Sequence, residues 1–223
     1  MDKFRNIYTE MIAENGGGGK MSIEIRPLRK KDHEKILKYA AEGMGVRNYT
    51  DKPDEINLYS KYFWYMELSR STQLIAAYEG DEPVGVLLAD MKGEKKAYTS
   101  VRAKIFIKTA ELLMAVMFRG GANTYSETNE SMLSEFIKDN HPDGEMGFLA
   151  VEPGHNGKGI GTILLNELAE REKGKQIYLF TDSGCTYQFY DKRGFTKEAE
   201  RDIVLNLHEK KIPLKCFLYS KIL

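Results

Sequence analysis

The chain has 223 residues, room for one large domain or one domain with additions. Hydrophobic residues make up 42% and charged residues 30%, and 33 Lys and Arg balance 33 Asp and Glu. That balance removes any global electrostatic case for nucleic acid or an anionic membrane as a partner.

Cys185 and Cys216 are the only cysteines, too few for a disulfide framework, and no Cys/His group has zinc-ligand spacing, so no metal is expected. The longest apolar run, residues 112–118, is too short to cross a bilayer. The N-terminus lacks a signal-like apolar core, so a reducing, cytoplasmic setting is the expectation.

Residues 3–14 place Phe4, Ile7, Tyr8, Met11 and Ile12 at helical spacing, and Gly16 to Gly19 follow as a flexible tether. The stripe needs a surface to cover, on its own domain or on a second copy, which leaves a homodimer open. The glycine run also fits a translated ribosome-binding sequence, with Met21 as the start. Residues 1–20 are therefore read as an amphipathic helix and tether, and 21–223 as the main domain.

Residues 22–25 alternate like a strand. Asp32 has the chemistry of an N-cap for a helix carrying Ile36, Leu37, Ala40 and Met44. A polar loop leads to a helix at 55–69 rich in aromatics: Tyr59, Tyr62, Phe63, Trp64 and Tyr65. These side chains suit either core packing or a wall in contact with substrate. Residues 74–79 and 84–89 read as a hairpin around Gly80-Asp81-Glu82-Pro83. Residues 100–118 are predicted helical, with Ile105, Leu112 and Val116 on the apolar face. Thr124 and Glu127 have capping-box spacing before a helix holding Met132, Leu133, Phe136 and Ile137. Together, 91–140 read as a helical insertion.

Residues 146–151 form a nearly continuous apolar strand, and Pro153-Gly154-His155-Asn156-Gly157-Lys158-Gly159-Ile160-Gly161 follow. Next come a helix with Ile160, Ile163, Leu164 and Leu168 on one face, a strand at 176–181 and a short helix at 186–192. Strands at 203–207 and 214–222 close the chain.

A strand, a glycine-rich turn and a helix make an anion site, because the first helical amides have no internal partner and lie at the positive end of the helix dipole. Spacing separates the phosphate-binding designs. A P-loop needs Gly-x4-Gly-Lys-Ser/Thr, but residue 152 is Glu and Gly159 follows Lys158. A dinucleotide fingerprint needs Gly at 162, where Thr stands, and the motif comes too late for a full nucleotide-binding half to follow.

Asn156-Gly157-Lys158-Gly159-Ile160-Gly161, led by Val151-x-Pro153 and followed by a Leu-rich helix, resembles the central motif of the GNAT superfamily of N-acyltransferases, Gln/Arg-x-x-Gly-x-Gly/Ala. Asn156 departs from the usual Gln or Arg. Tyr190-Asp191-Lys192-Arg193-Gly194-Phe195 resembles the family's downstream signature, a Tyr shortly before Gly-Phe, and Ser183 stands where many members carry Asn. The resemblance covers about residues 22 to 222. It implies an α/β (α+β) fold: a mixed, mostly antiparallel, twisted sheet, splayed at its centre and flanked by helices.

The implied reaction is direct transfer of an acetyl group from acetyl-CoA, as co-substrate, to an amine of a small molecule or peptide. The resemblance puts backbone groups of Leu149 and Val151 against the acetyl and pantetheine arm, Asn156 to Gly161 on the diphosphate, and Ser183 near the pantetheine. It makes Tyr190 the candidate acid for the departing thiolate. Glu145 is the candidate base, at the offset where histone-type members carry a catalytic Glu, and strand alternation would put it on one face with Gly147, Leu149 and Val151. His141 is a second candidate base and a chain of waters a third. Lys158, Lys192 and Arg193 suit either phosphates or bulk solvent. Cys185 has no His/Asp arrangement beside it and reads as structural. The acceptor route is expected between the 46–54 loop with its aromatic helix and the 206–213 turn. A CoA-binding regulator that has lost transfer, and a nucleotide binder using the glycine loop, are the alternatives of other classes.

Overall fold

The computed structural model describes residues 22–43, 50, 52–117, 123–207 and 210–223. The N-terminal stripe, the tether, most of the 46–54 loop and the tip of the last turn lie outside them. Seven strands form one sheet in the order β1-β2-β3-β4-β5-β7-β6. They are β1 (Ile23–Arg26), β2 (Gln73–Glu79), β3 (Glu82–Met91), β4 (Gly144–Val151), β5 (Gln176–Asp182), β6 (Thr196–Leu207) and β7 (Lys210–Ile222). Neighbours run antiparallel except β4 and β5, which are parallel. This is the mixed, mostly antiparallel, helix-flanked sheet that the sequence predicts.

The helices are α1 (His33–Gly43), α2 (Pro53–Arg70), α3 (Val101–Met117), α4 (Asn123–Phe136), α5 (Ile160–Arg171) and α6 (Gln188–Asp191). On one face, Ile160, Leu164 and Leu168 of α5 bury into a core with Ile75, Leu87, Ile177, Leu179, Phe217 and Tyr219. Docking there depends on Gly85 of β3: a β-carbon at that position would lie 2.8 Å from Ile160 Cγ2 and 3.0 Å from Leu164 Cδ1. On the other face, Ile36 of α1 with Trp64 and Leu68 of α2 cover Val86, Leu88, Phe148 and Ala150. Beyond them, Met132 and Phe136 of α4 cover Leu205, Leu214, Cys216 and Leu218. β3, beside the centre of the sheet, is thus buried on both faces, which its apolar run requires.

Four local expectations are corrected. Asp32 does not cap α1; it sits in a 3-10 turn, where its carboxylate accepts from Arg29 Nε (2.6 Å) and the Tyr78 hydroxyl (2.8 Å). On α3, Ala103 and Ala110 face inward while Val101, Ile105, Leu112 and Leu113 are exposed. Two sides of that helix are apolar, and the small alanines let it approach α2, where Phe106 meets Tyr65 edge-on at 5.8 Å. Thr124 lies inside α4, its carbonyl accepting from Thr128 Oγ1, so the capping box is not formed. β6 also begins at Thr196, well before residue 203, because residues 196–202 are the charged, largely exposed part of an edge strand.

Candidate active site

The centre of the sheet opens at the one parallel pair among the described residues. β4 and β5 pair at Gly144↔Ile177 and Glu145↔Tyr178, and residues 146–151 and 179–182 run on without pairing each other. The antiparallel ladder with β3 fixes which main-chain groups face the gap. Glu152 N–H donates to Val84 O at 2.8 Å, and Val86↔Ala150 and Leu88↔Phe148 are in phase with that bond. The amides of Phe148 and Ala150 therefore point to β3, and those of Leu149 and Val151 point into the gap.

A β-bulge interrupts this ladder. Leu88 pairs with Phe148 and Ala89 with Met146, leaving Gly147 as the extra residue. The bulge reverses the alternation, so Met146 joins Leu149 and Val151 on the α5 face. Glu145 is consequently on the opposite face, toward α2, and does not share a face with Leu149 and Val151. It accepts from Arg70 Nη2 (2.7 Å) and from the Tyr178 hydroxyl (3.2 Å), so both its oxygens are engaged.

Past β4 the chain makes a 3-10 turn at Pro153–His155 and enters α5 through Gly157 and Gly159, at φ 81° and 80°. Both need the left-handed region that glycine enters at little cost, and a β-carbon on either would meet nothing within 4 Å. His155 anchors the turn, its Nε2 2.8 Å from Glu79 Oε2 and its Nδ1 2.6 Å from Glu152 Oε2. The hydrogen bond from His155, helped by Lys158, holds the Glu79 carboxyl below the usual range. Amides of His155, Asn156, Lys158, Thr162 and Ile163 bond within the segment. Those of Gly157, Gly159, Ile160 and Gly161 have no partner among the described residues. Four donors at the positive end of a helix, with open space over Gly157 and Gly159, fit a diphosphate.

α6 closes against this helix end. A β-carbon on Gly161 would lie 3.0 Å from Phe189 Cε2. Arg193, just after α6, donates to Thr162 Oγ1 from Nε (2.8 Å) and Nη2 (2.5 Å) and stacks over Phe189 at 4.0 Å. It has no carboxylate partner among the described residues, so a bare cation stands beside the positive end of α5. Tyr190 packs edge-on against Phe189 and Phe195 and near Tyr219, and its hydroxyl has no hydrogen-bond partner among the described residues. Burial, and secondarily Cys185, raise its pKa well above the ordinary phenol range.

Asn156, Lys158 and Lys192 are exposed, as is His141. Ser183 lies past the end of β5, where its hydroxyl accepts from Lys215 N–H (3.1 Å) and its own amide donates to Lys215 O (2.9 Å). It is joined to β7 rather than to the glycine loop. Burial, reinforced by Asp182, pushes the Cys185 thiol up to about 12, the wrong direction for a nucleophile. No group of three or more His, Cys, Asp or Glu among the described residues is arranged to hold a metal, and no described helix is long and apolar enough to cross a membrane.

Sequence reasoning missed Glu67 of α2. It is 4% exposed, its Oε2 accepts from Arg70 Nε at 2.8 Å, and it lies directly over the bulge glycine, where a β-carbon on Gly147 would be 2.0 Å from Oε2. The spacing of Tyr59, Phe63, Glu67 and Arg70 along one helical face was the available signal.

Residues 40–195 match the sequence profile described as the acetyltransferase (GNAT) family. The PaiA N-acetyltransferase from Thermoplasma acidophilum, solved in complex with coenzyme A, superimposes with a TM-score of 0.51 at 17% identity, over 91% of this chain and 100% of that one. A GCN5-related N-acetyltransferase from Rhodopseudomonas palustris gives 0.50 at 16% identity, over 93% and 100%. At these identities the likeness is one of fold. A search of curated proteins found no match.

Proposed function

The chain belongs to the GNAT acetyltransferase family, and from that premise we propose that it moves an acetyl group from acetyl-CoA directly to a primary amine of a small molecule or peptide. The observation that carries this is the parted pair β4 and β5, whose free amides lead to the unpaired amides at the start of α5. One groove thereby offers donors to a thioester oxygen at one end and to a diphosphate at the other.

Acetyl-CoA supplies an activated acyl carbon and a thiolate leaving group. The amides of Leu149 and Val151 are aimed at the arm and carbonyl. A donor placed before the reaction stabilises the charge that grows on the oxygen without having to reorganise. Gly157, Gly159, Ile160 and Gly161 take the diphosphate, with Arg193 beside them. The exposed side chains of Asn156 and Lys158 add contacts at the rim, and Ser183 lines the outer end of β5.

Tyr190 keeps its proton at any working pH, since burial raises its pKa. Complete transfer to sulfur is uphill: an ordinary phenol titrates near ~10 and a thiol near ~8.5. Tyr190 therefore acts as a hydrogen-bond donor to the departing sulfur, and solvent completes the protonation. The absence of a low-pKa cysteine beside it supports direct transfer over an acyl-enzyme.

The acceptor route runs between α2 and the β6–β7 turn. Tyr59 of α2 is 39% exposed, and a depression of about 480 Å³ on the other side is lined by Ser183, Val204 and Pro213. The test is turnover of acetyl-CoA with putrescine, lysine, tyramine and a short peptide, read by mass spectrometry of the product. An N-acetylated product supports the reading. Acetyl-CoA binding without transfer to any amine would leave a CoA-binding regulator instead.

A further inference from the structure

A side chain that serves as general base here must be a carboxylate or imidazole near the gap between β4 and β5, and the face opposite α5 carries two carboxylates there, Glu145 and Glu67. Glu145 reaches that face but arrives with both oxygens engaged, by Arg70 and by Tyr178. His141 is exposed and lies before the start of β4. Glu67 differs from both. Its Oε2 is held by Arg70, while Oε1 accepts no hydrogen bond from the described residues and is not a sealed atom.

Its position is set by three elements. α2 presents Glu67 and Arg70 one turn apart, β4 supplies Glu145 to the other end of the guanidinium, and the bulge supplies Gly147. A β-carbon at 147 would press on the ends of both side chains, at Glu67 Oε2 and Arg70 Nη2, and displace them. Gly147 stands where β4 leaves β5, and Leu149, with its amide in the gap, is two residues on, roughly 6.6 Å along a strand. That length suits a chain from a backbone N–H through a carbonyl oxygen and carbon to an attacking nitrogen and its proton acceptor.

We propose that Glu67, positioned by Arg70 and Glu145 over Gly147, is the general base that takes the proton from the acceptor amine. The inference rests on the acetyltransferase reading and deepens it. The nitrogen lone pair of the neutral amine forms the C–N bond, and the C–S pair leaves with sulfur. The proton made acidic by that bond passes to Glu67 Oε1, and Glu67 returns it to solvent. The thiolate departs hydrogen-bonded to Tyr190 and is protonated by solvent.

Electrostatics agree with the geometry. Burial pushes the Glu67 carboxyl up to about 7, against the pull of Arg70 and with added repulsion from Glu145 on β4 and Asp90 on β3. Asp90 is itself paired with Lys96, Tyr62 lies within reach on α2, and Tyr178 of β5 acts through Glu145. A base that titrates near the working pH combines availability with proton affinity.

The experiment compares pH profiles of kcat for the wild type, Glu67→Gln, Glu67→Asp and Glu145→Gln, with acetyl-CoA and the best amine of the panel above. Calorimetry with acetyl-CoA is run on each. The wild-type kcat should rise through about pH 7. Glu67→Gln should lose that ionisation and fall by roughly 10²-fold or more, with acetyl-CoA affinity kept. Glu67→Asp should keep an ionisation at reduced rate. Glu145→Gln should keep it and move it to lower pH, since a repelling charge is gone and Arg70 is freed. An unchanged profile in Glu67→Gln overturns the assignment, and so does a loss of acetyl-CoA binding equal to the loss of rate. A wild type that acetylates no amine overturns both this inference and the function on which it rests.

Discussion

Phe189 presses on Gly161: a β-carbon there would sit 3.0 Å from its ring edge. This contact ties the start of α5, proposed to hold the diphosphate, to Tyr190, the next residue along α6. Adding side-chain bulk at 161 should displace α6 while leaving the sheet intact. Gly161→Val is expected to lower kcat more than it raises KM for acetyl-CoA, by on the order of 10²-fold for a displacement near 1 Å. Steady-state kinetics checks it. An equal change in both constants would place the defect in binding alone.

Arg193 carries a second prediction. Its guanidinium beside the positive end of α5 costs about 0.3–1 kcal/mol without an anion, and stacking on Phe189 offsets a similar amount. Arg193→Ala should therefore leave the melting temperature nearly unchanged. It should weaken acetyl-CoA binding and flatten its salt dependence. Calorimetry at two ionic strengths, with a thermal melt, separates the effects.

Stability against pH gives a third. Burial pushes the folded Glu67 carboxyl up to about 7, from about 4.5 for a free glutamate. Between those values the folded state binds more protons than the unfolded chain, so this group contributes a loss of stability as pH rises from about 4.5 to about 7, and none beyond. Denaturant unfolding at pH 5 and pH 8 should show the wild type losing more stability than Glu67→Gln over that interval. A constant difference between the two proteins would contradict it.

A fourth concerns the seat of the loop. Gly85→Val forces side-chain atoms into Ile160 and Leu164, whose positions set the start of α5. The expected cost is about 1–3 kcal/mol, the usual penalty for overpacking a closed core, together with weaker acetyl-CoA binding. Urea unfolding of the variant measures it.

The glycine loop was legible because its chemistry is a matter of backbone. Gly157 and Gly159 stand at positive φ, and the spacing that distinguishes their anion site from other glycine-rich turns is written along the chain. The candidacy of Tyr190 was legible through its distance to Gly194-Phe195. Glu67 was not, because its significance arises only where α2, β4 and a one-residue bulge meet. The same bulge misled the alternation argument for Glu145, since an extra residue at 147 moves every side chain before it to the other face. Ile105 and Leu112 misled for a different reason. The helix has two apolar sides, and periodicity alone does not say which one the alanines will bring inward.

The most direct test of the account is a calorimetric titration of acetyl-CoA into the wild type and into Gly159→Val, which cannot hold φ 80° without strain and so misdirects the amides that open α5. Saturable one-to-one binding by the wild type, lost or greatly weakened in the variant, is the predicted result. No heat from the wild type at millimolar acetyl-CoA, or equal binding by both proteins, would contradict it.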